Sequence, residues 1–196
     1  MPPKITIASY VTISRFFLVP LFLYLFLRER YAAALIVAAI AGFTDLLDGF
    51  LARHFNMRSR LGSFLDPMAD KYLMVLSFLV LAWKERIPLL LTAIVLGKDL
   101  IVSLGVMILN LMKIRLYYRP TILSKATTGS QILVLIIAFL EVYLENNSLP
   151  MAASLKHFIA ATKTGLIYTT AVLTLSTAAQ YIFIGYKFYR FGERKE

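Results

Sequence analysis

The chain contains no cysteine, only two histidines and few charged residues, and each shortage excludes a class of protein. Without cysteine it has no disulfide, no thiol nucleophile and no thiolate metal site. Charged residues make up 16% of its 196 residues, whereas soluble domains have about 25%. Hydrophobic residues make up 59%, above the roughly 45–50% of soluble domains. This composition excludes a disordered chain, a disulfide-stapled secreted module and an ordinary cytosolic enzyme.

Long apolar segments predict an all-α, polytopic membrane protein with six transmembrane helices. A segment of about 20 mostly apolar residues is long enough to cross a bilayer as a helix. Six such segments occur, at 11–28, 32–53, 62–83, 87–112, 124–145 and 162–188. Residues 2–10 are short and mixed, and we expect them to form an interfacial helix on the membrane. Residues 1–196 are expected to form one domain, since no linker, low-complexity segment or internal repeat interrupts them.

Basic residues outnumber acidic ones by 21 to 11, and their distribution predicts the orientation of the helices. Thirteen lysines and arginines fall on the side of the two termini, and six fall on the other side. By the positive-inside rule, both termini are expected in the cytoplasm. Basic residues beside apolar segments indicate anionic lipid rather than nucleic acid. No organelle-targeting leader is evident, which favours a bacterial inner membrane.

All five aspartates lie within the predicted helices, whereas the six glutamates lie at helix ends, in loops or in the tail. An aspartate at the centre of a membrane helix costs roughly 2.5–3.5 kcal/mol on insertion scales. Asp45 and Asp48 are three residues apart and Asp66 and Asp70 four apart, so each pair shares a helix face. The two helices are joined by a short loop, which makes them antiparallel neighbours. We therefore expect the four carboxylates to converge near the cytoplasmic end of the bundle.

Four converging carboxylates indicate a metal site. Without a cation they would repel one another and most would have to take up protons. Oxygen ligands without histidine or thiolate favour Mg²⁺ or Mn²⁺ over zinc. The alternative is that each aspartate pairs with a nearby base, such as Asp70 with Lys71 or Asp99 with Lys98. That alternative explains Asp99 better than it explains the other four.

The segment 45–70 reads DLLDGFLARHFNMRSRLGSFLDPMAD. It matches the pattern D-x2-D-G-x2-A-R-x8-G-x3-D-x3-D at every fixed position, and in this the chain resembles the CDP-alcohol phosphatidyltransferase family. Six predicted helices extend the likeness over essentially the whole chain. The resemblance implies transfer of a phosphatidyl group from CDP-diacylglycerol to an alcohol with release of CMP. Reaction at a pyrophosphate also explains the need for cations, which bridge its negatively charged oxygens.

The resemblance implies a role for each fixed residue. Asp45, Asp48 and Asp66 would hold two Mg²⁺ or Mn²⁺ ions, while Asp70 would touch the second ion and be the catalytic base that deprotonates the acceptor hydroxyl. The residues expected to contact the CDP portion of the donor are Gly49, Ala52, Arg53, Ser59 and Gly62. The alternative is structural: small residues also let membrane helices approach closely, and a loop serine also caps helices.

The acceptor alcohol is suggested by basic residues on helices four and five and in the connection between them. These candidate acceptor-binding residues are Lys98, Arg115, Arg119 and Lys125. The stretch RPTILSKATTGSQ places Lys125, Thr128 and Gln131 at three-residue spacing and resembles cardiolipin synthases, whose acceptor is phosphatidylglycerol. Phosphatidylglycerophosphate synthases, which use glycerol 3-phosphate, share this lysine and threonine pattern. Both acceptors are anionic, and basic residues here would also attract lipid headgroups without binding substrate.

Two further expectations follow. A divalent-cation or proton transporter is the alternative from another class, since carboxylates in membrane helices also mark ion pathways. Transport predicts acids spread through the depth of the bundle, whereas the four aspartates cluster at one end. The resemblance also implies a homodimer, for which Gly97, Ser103 and Gly105 would allow close contact.

Overall fold

In the computed structural model, α-helix is the only regular secondary structure among the residues that it describes. It describes the backbone of 7–54, 60–112, 121–146 and 152–191, and the side chains of 17–44, 71–109, 111–112, 121–146 and 152–190. The helices are α1 (Ile7–Leu27), α2 (Tyr31–His54), α3 (Arg60–Trp83), α4 (Leu89–Leu111), α5 (Ile122–Asn146) and α6 (Ala153–Phe191). The all-α fold class and the six predicted helices are confirmed.

Two helices begin four or more residues earlier than the sequence predicts. α6 begins at Ala153 rather than near 162, because hydropathy marks only apolar residues, whereas the helix-favouring stretch 153–161 has no glycine or proline to stop a helix. Residues 7–10, assigned to a separate interfacial helix, form the start of α1. No glycine or proline separates them from the apolar residues that follow. Residues 2–6 of that predicted interfacial helix lie outside the described part.

Three helices are long and apolar enough to cross a membrane within the described part of the chain: Leu89–Leu109, Ile122–Asn146 and Ala153–Arg190. The described parts of α1, α2 and α3 contain shorter apolar stretches. Large apolar side chains are exposed on the described helices, for example Leu104 on α4 and Ile136 on α5. Such a surface is suited to hydrocarbon rather than to water. The chain therefore has the character of an integral membrane protein, while six crossings and cytoplasmic termini stay predictions.

The chain forms two compact units, of which the first contains Met1–Leu81 and Val142–Ser148. In this unit α1 packs against α2. Phe22 and Phe26 are buried, and the ring of Tyr31 meets that of Phe26 edge-on with centroids 5.0 Å apart. Ala34 is also fully buried on α2, where a small side chain lets two helices approach closely.

The end of α1 is a Schellman turn built without glycine. Glu29 has a φ of 61°; its N–H donates to the Phe26 carbonyl, and the N–H of Arg30 donates to the Leu25 carbonyl, both at 3.0 Å. Glu85 ends α3 in a similar way, with a φ of 57° and a 3.0 Å hydrogen bond to the Ala82 carbonyl. A non-glycine residue in this left-handed region is strained.

The second unit contains Ala82–Glu141 and Leu149–Glu196. α4 packs against α6, and their C-terminal halves line one cavity, so these two helices run in the same direction. α5 runs antiparallel to α6, because Thr121 near its start bonds Gln180 while Glu141 near its end bonds Lys163. Successive membrane crossings by α4, α5 and α6 require this alternation.

Buried polar side chains join α5 to α6. We call this contact the threonine seam; its members are Thr127, Gln131, Thr174 and Thr177. All four are at most 1% exposed. The hydroxyls of Thr127 and Thr177 are 2.6 Å apart, and the Gln131 amide donates to the Thr174 hydroxyl at 3.3 Å. The Thr127 hydroxyl also lies 2.8 Å from the Leu123 carbonyl and 3.2 Å from the Leu173 carbonyl, either of which can accept its proton.

An ion pair and a lone hydroxyl complete this contact. Lys163 donates to Glu141 at 2.5 Å, and the two side chains are 16% and 14% exposed. Near the seam, the buried hydroxyl of Thr170 has no hydrogen-bond partner within the part of the chain that the structure describes. Polar contacts thus join α5 to α6 near both ends of their shared length, whereas the Thr170 hydroxyl takes no part in them.

The seam predicts opposite outcomes for two buried threonines. Thr127→Val leaves the Thr177 hydroxyl without its hydrogen-bond partner on α5, so we expect the free energy of unfolding to fall by about 1–2 kcal/mol. Thr170→Val removes an unpartnered hydroxyl at nearly constant volume, so we expect no loss beyond about 0.5 kcal/mol, or a gain. Equilibrium unfolding in mixed detergent micelles, followed by helical circular dichroism, measures both. Equal losses would show that the seam's hydrogen bonds do not stabilise the fold.

The left-handed residue after α3 predicts a stabilising substitution. Glu85→Gly removes the steric strain at φ 57°, and after the entropy cost of glycine we expect a gain of about 0.5–1 kcal/mol. Glu85→Ala is the matched control, since it removes the same exposed carboxylate but keeps the Cβ. The same unfolding measurement separates the two variants. A glycine variant no more stable than the alanine variant would disprove the strain.

Candidate functional site

The aspartate signature lies on the two adjoining ends of α2 and α3. Asp48 precedes the end of α2 at His54 by six residues, and Asp66 follows the start of α3 at Arg60 by six. At 1.5 Å per residue, each lies about 9 Å along its helix from that end. Only residues 55–59 connect the two ends, so both aspartate pairs lie toward the helix ends that this short connection joins. The side chains of these aspartates lie outside the described part, so the convergence of their carboxylates stays a prediction.

The helical register of α2 groups the small residues of the signature with its acids. Positions 45, 48, 49 and 52 fall within one face, since their spacings are close to one or two full turns. Gly49 and Ala52 have little bulk, and Arg53 follows on the same turn. Gly62 lies on the first turn of α3. Ser59 and the side chain of Arg53 lie outside the described part of the chain.

The donor set fits a hard divalent cation. All four candidate ligands are carboxylates, which Mg²⁺ and Mn²⁺ prefer. Among the side chains that the structure does describe, no group of three or more acids or histidines could hold a metal ion. That Asp45, Asp48, Asp66 and Asp70 hold the ions implied by the signature stays a prediction.

Lys125 occupies a defined position on the first turn of α5. The helix begins there because Thr121 caps it: the backbone N–H of Ser124 donates to the Thr121 hydroxyl oxygen at 3.2 Å. The same hydroxyl donates to the Gln180 side chain of α6 at 3.1 Å, so the start of α5 is anchored. Lys125 itself is exposed. Its ammonium is thus available to an anionic ligand. Arg115 and Arg119 lie outside the described residues.

Lys98 forms an ion pair with Asp99 in the middle of α4. Its Nζ lies 2.8 Å from the Asp99 carboxylate, and the side chains are 10% and 25% exposed. Pairing of Asp99 with Lys98, the structural alternative considered for this acid, is confirmed. Lys98 and Asp99 are adjacent on the helix, and they meet because the lysine side chain is long enough for its ammonium to bend toward the carboxylate. A role for Lys98 in acceptor binding stays a prediction.

The structure separates three residues that their spacing had grouped. Lys125 and Thr128 are exposed, whereas Gln131 is 1% exposed and bonds Thr174. Residues six apart on a helix differ by about 120° in direction, so a repeated three-residue spacing drifts from one face to the next. The sequence does contain a signal that could have indicated the partner of Gln131. Thr170, Thr174 and Thr177 are spaced along α6 as residues of one helix face are.

Comparison with known proteins identifies the family. Residues 5–188 match the CDP-alcohol phosphatidyltransferase family. A cardiolipin synthase (CMP-forming)/mitochondrial hydrolase fusion protein of Schizosaccharomyces pombe is 31% identical over 205 residues, which cover 97% of this chain and 33% of the relative. Cardiolipin synthase (CMP-forming) of Homo sapiens is 42% identical over 102 residues, covering 52% of this chain and 34% of the relative.

A bacterial relative is named for a second acceptor. The CDP-diacylglycerol–glycerol-3-phosphate 3-phosphatidyltransferase of Aquifex aeolicus is 36% identical over 124 residues, covering 62% of this chain and 68% of the relative. This chain spans only about a third of the length of the yeast and human relatives. The family match nevertheless runs from before α1 into the last turn of α6 and includes the whole aspartate signature. The chain therefore belongs to the CDP-alcohol phosphatidyltransferase family.

Proposed function

We propose that this chain synthesises phospholipid by transferring a phosphatidyl group from CDP-diacylglycerol to an anionic glycerol-type alcohol, releasing CMP. The observation that carries the proposal is the unbroken aspartate signature at the adjoining ends of α2 and α3. Relatives named for two such reactions, with phosphatidyl transfer to a glycerol-type acceptor, support it. The transporter alternative has no support from these relatives.

The proposed reaction assigns one task to each part of the signature. The oxygen of the acceptor hydroxyl bonds to the phosphatidyl phosphorus, while the bond from that phosphorus to the CMP oxygen breaks and CMP leaves with the electron pair. Asp70 accepts the hydroxyl proton. Arg53 donates hydrogen bonds to phosphate oxygens, and Gly49 leaves room for the nucleotide. When bound to the aspartates, Mg²⁺ or Mn²⁺ supplies neutralisation of the pyrophosphate charge.

The favoured acceptor is phosphatidylglycerol, with glycerol 3-phosphate as the second candidate. The stretch from Arg119 to Gln131 supports the first choice by its likeness to cardiolipin synthases, and the relatives include one named cardiolipin synthase and one named for glycerol 3-phosphate. Lys125 is the exposed cation best placed to meet the negative charge that both acceptors carry. We further propose that the enzyme is a homodimer in a bacterial inner membrane, with its active site on the cytoplasmic side as the positive-inside bias predicts.

The aspartate assignments predict loss of CMP release. Asp70→Asn removes the base while keeping the size of the side chain, so turnover should fall by about 10²–10⁴-fold. Asp45→Asn and Asp66→Asn should abolish the metal-dependent reaction. The assay is CMP release by purified protein in detergent with CDP-diacylglycerol and Mg²⁺ or Mn²⁺, supplying phosphatidylglycerol and glycerol 3-phosphate in parallel. Whichever acceptor permits release identifies the branch of the family.

Glu85→Gln is the matched control for this assay, because it neutralises an exposed carboxylate that follows α3 and lies outside the signature. It should turn over like the unaltered protein. Chelation of divalent ions should stop release, and added Mg²⁺ or Mn²⁺ should restore it. Near-normal turnover by Asp70→Asn would disprove its role as the base, and release that survives chelation would disprove the metal site.

The exposed position of Lys125 predicts an effect on the acceptor alone. Lys125→Gln should raise the KM for the acceptor about tenfold, since a hydrogen bond to a charged group is lost, and leave the KM for CDP-diacylglycerol unchanged. Lys156→Gln, which neutralises an exposed lysine near the start of α6, is the control and should change neither value. Steady-state kinetics with each substrate varied in turn measures both constants. A rise in the donor KM instead would place Lys125 at the CDP-diacylglycerol site.

A further inference from the structure

The first turn of α5 carries Lys125 but buries none of its side chains. The side chains at 121–126 are all half-buried or exposed, and Ile122 is 88% exposed. The first buried side chain of α5 is that of Thr127, which belongs to the threonine seam. The first N–H groups of a helix also lack partners within the helix itself. The position of this turn therefore depends on polar contacts at its start.

Three linked hydrogen bonds supply those contacts. The side-chain oxygen of Gln180 on α6 accepts from the Thr121 hydroxyl at 3.1 Å. The same hydroxyl accepts from the backbone N–H of Ser124 at 3.2 Å, and the Thr121 carbonyl accepts from the backbone N–H of Lys125 at 3.1 Å. A hydroxyl that donates to one partner is polarised into a better acceptor for another. Gln180 thus connects α6, through Thr121, to the residue with the exposed ammonium.

The threonine seam makes Gln180 a fixed point for this turn. Thr177 lies about one turn before Gln180 on α6, and its hydroxyl is 2.6 Å from that of Thr127 on α5. The seam therefore holds α6 against α5 without any help from Gln180. Loss of the bond between Gln180 and Thr121 should free the first turn of α5 while the two helices stay together.

We propose that Gln180 is a positioning residue for the acceptor alcohol. Its bond to Thr121 holds the first turn of α5 so that the Lys125 ammonium meets the negative charge of the acceptor. This role rests on the proposed function, which gives Lys125 its contact with the acceptor. A cation on a frayed turn is in the binding position for only a fraction of the time, and the apparent affinity falls by that fraction.

The test compares two glutamine-to-leucine variants by steady-state kinetics of CMP release, with phosphatidylglycerol and glycerol 3-phosphate supplied in parallel. Gln180→Leu should raise the KM for the acceptor about fivefold, the effect of one hydrogen bond. The KM for CDP-diacylglycerol and the kcat at saturating acceptor should not change, because the lysine itself is retained and the aspartate signature is untouched.

Gln131→Leu is the matched control. It removes the buried amide that bonds Thr174 in the same contact between α5 and α6, but it leaves the first turn of α5 bonded. Because this amide is more deeply buried than that of Gln180, its loss should lower the free energy of unfolding at least as much. The KM for the acceptor should nevertheless stay that of the unaltered protein.

Further variants test the route through Thr121 and Lys125. Thr121→Val removes the cap and the donor to Gln180 at nearly constant volume, so it should raise the acceptor KM at least as much as Gln180→Leu. Thr121→Ser retains the hydroxyl and should behave like the unaltered protein. The double variant Lys125→Gln, Gln180→Leu should have the acceptor KM of Lys125→Gln alone, since an absent lysine cannot be positioned.

Amide hydrogen exchange, measured residue by residue, tests the anchor without any substrate. In Gln180→Leu the amides of Ser124 and Lys125 should exchange about fivefold faster, because their turn opens more often. The amides of residues 131–138, beyond the first buried bonds of the seam, should keep their rates. Gln131→Leu should leave exchange at Ser124 and Lys125 unchanged.

Four results would overturn the proposal. Unchanged exchange at Ser124 and Lys125 in Gln180→Leu would show that the bond does not hold the turn. Faster exchange with an unchanged acceptor KM would show that the turn does not position the acceptor. An equal rise in acceptor KM in Gln131→Leu would show a general effect of lost stability. Additive effects in the double variant would show that Gln180 does not act through Lys125.

Failure of the proposed function would give a different result from each of these. The unaltered protein would then release no CMP with either acceptor, whereas the exchange measurement would still test whether Gln180 holds the first turn of α5.

Discussion

A polar group inside a bundle of apolar helices has no water to bond with, so it must find its partner within the protein. This constraint accounts for most of the specific contacts in the second unit, where α5 would otherwise present α6 with aliphatic surface that fits in many registers. The pairs are Thr127 with Thr177, Gln131 with Thr174, Thr121 with Gln180 and Glu141 with Lys163. Because each pair is satisfied in one register only, together they determine which faces of the two helices meet.

The same constraint applies with greater force to the signature aspartates. Lys98 neutralises Asp99 on α4, so that acid needs no cation from outside. Asp45, Asp48 and Asp66 have no basic neighbour one residue away in the sequence. Four carboxylates that converge as the signature predicts would repel one another unless cations are bound. Under the proposed function, the ions that relieve this repulsion also neutralise a pyrophosphate. A requirement of stability and a requirement of catalysis are then met by the same side chains.

Under the proposed function, amphiphilic substrates would explain why the aspartate signature and Lys125 lie toward helix ends. A phospholipid carries its phosphate at the membrane surface and its acyl chains in hydrocarbon, so recognition needs charge at one level and apolar space at the next. In the second unit the start of α5 is bonded to α6 at Gln180, two turns before Lys187. Lys125 and the basic residues near the end of α6 therefore lie at the same end of this unit, where they would meet the anionic surface of a membrane.

The sequence by itself determined the helices and the family. Hydropathy located six helices because backbone groups in hydrocarbon must bond within their own segment, and the fixed spacing of the aspartates identified the phosphatidyltransferases. The three-residue spacing wrongly grouped Gln131 with Lys125. Hydropathy missed the first turns of α6, because they are helical without being strongly apolar. Only the tertiary structure decided that Gln131 faces Thr174, that Lys98 meets Asp99 and that α4 packs beside α6. The physical reason is that helix formation is local, whereas the partner of a side chain depends on which helix packs beside it and in which register.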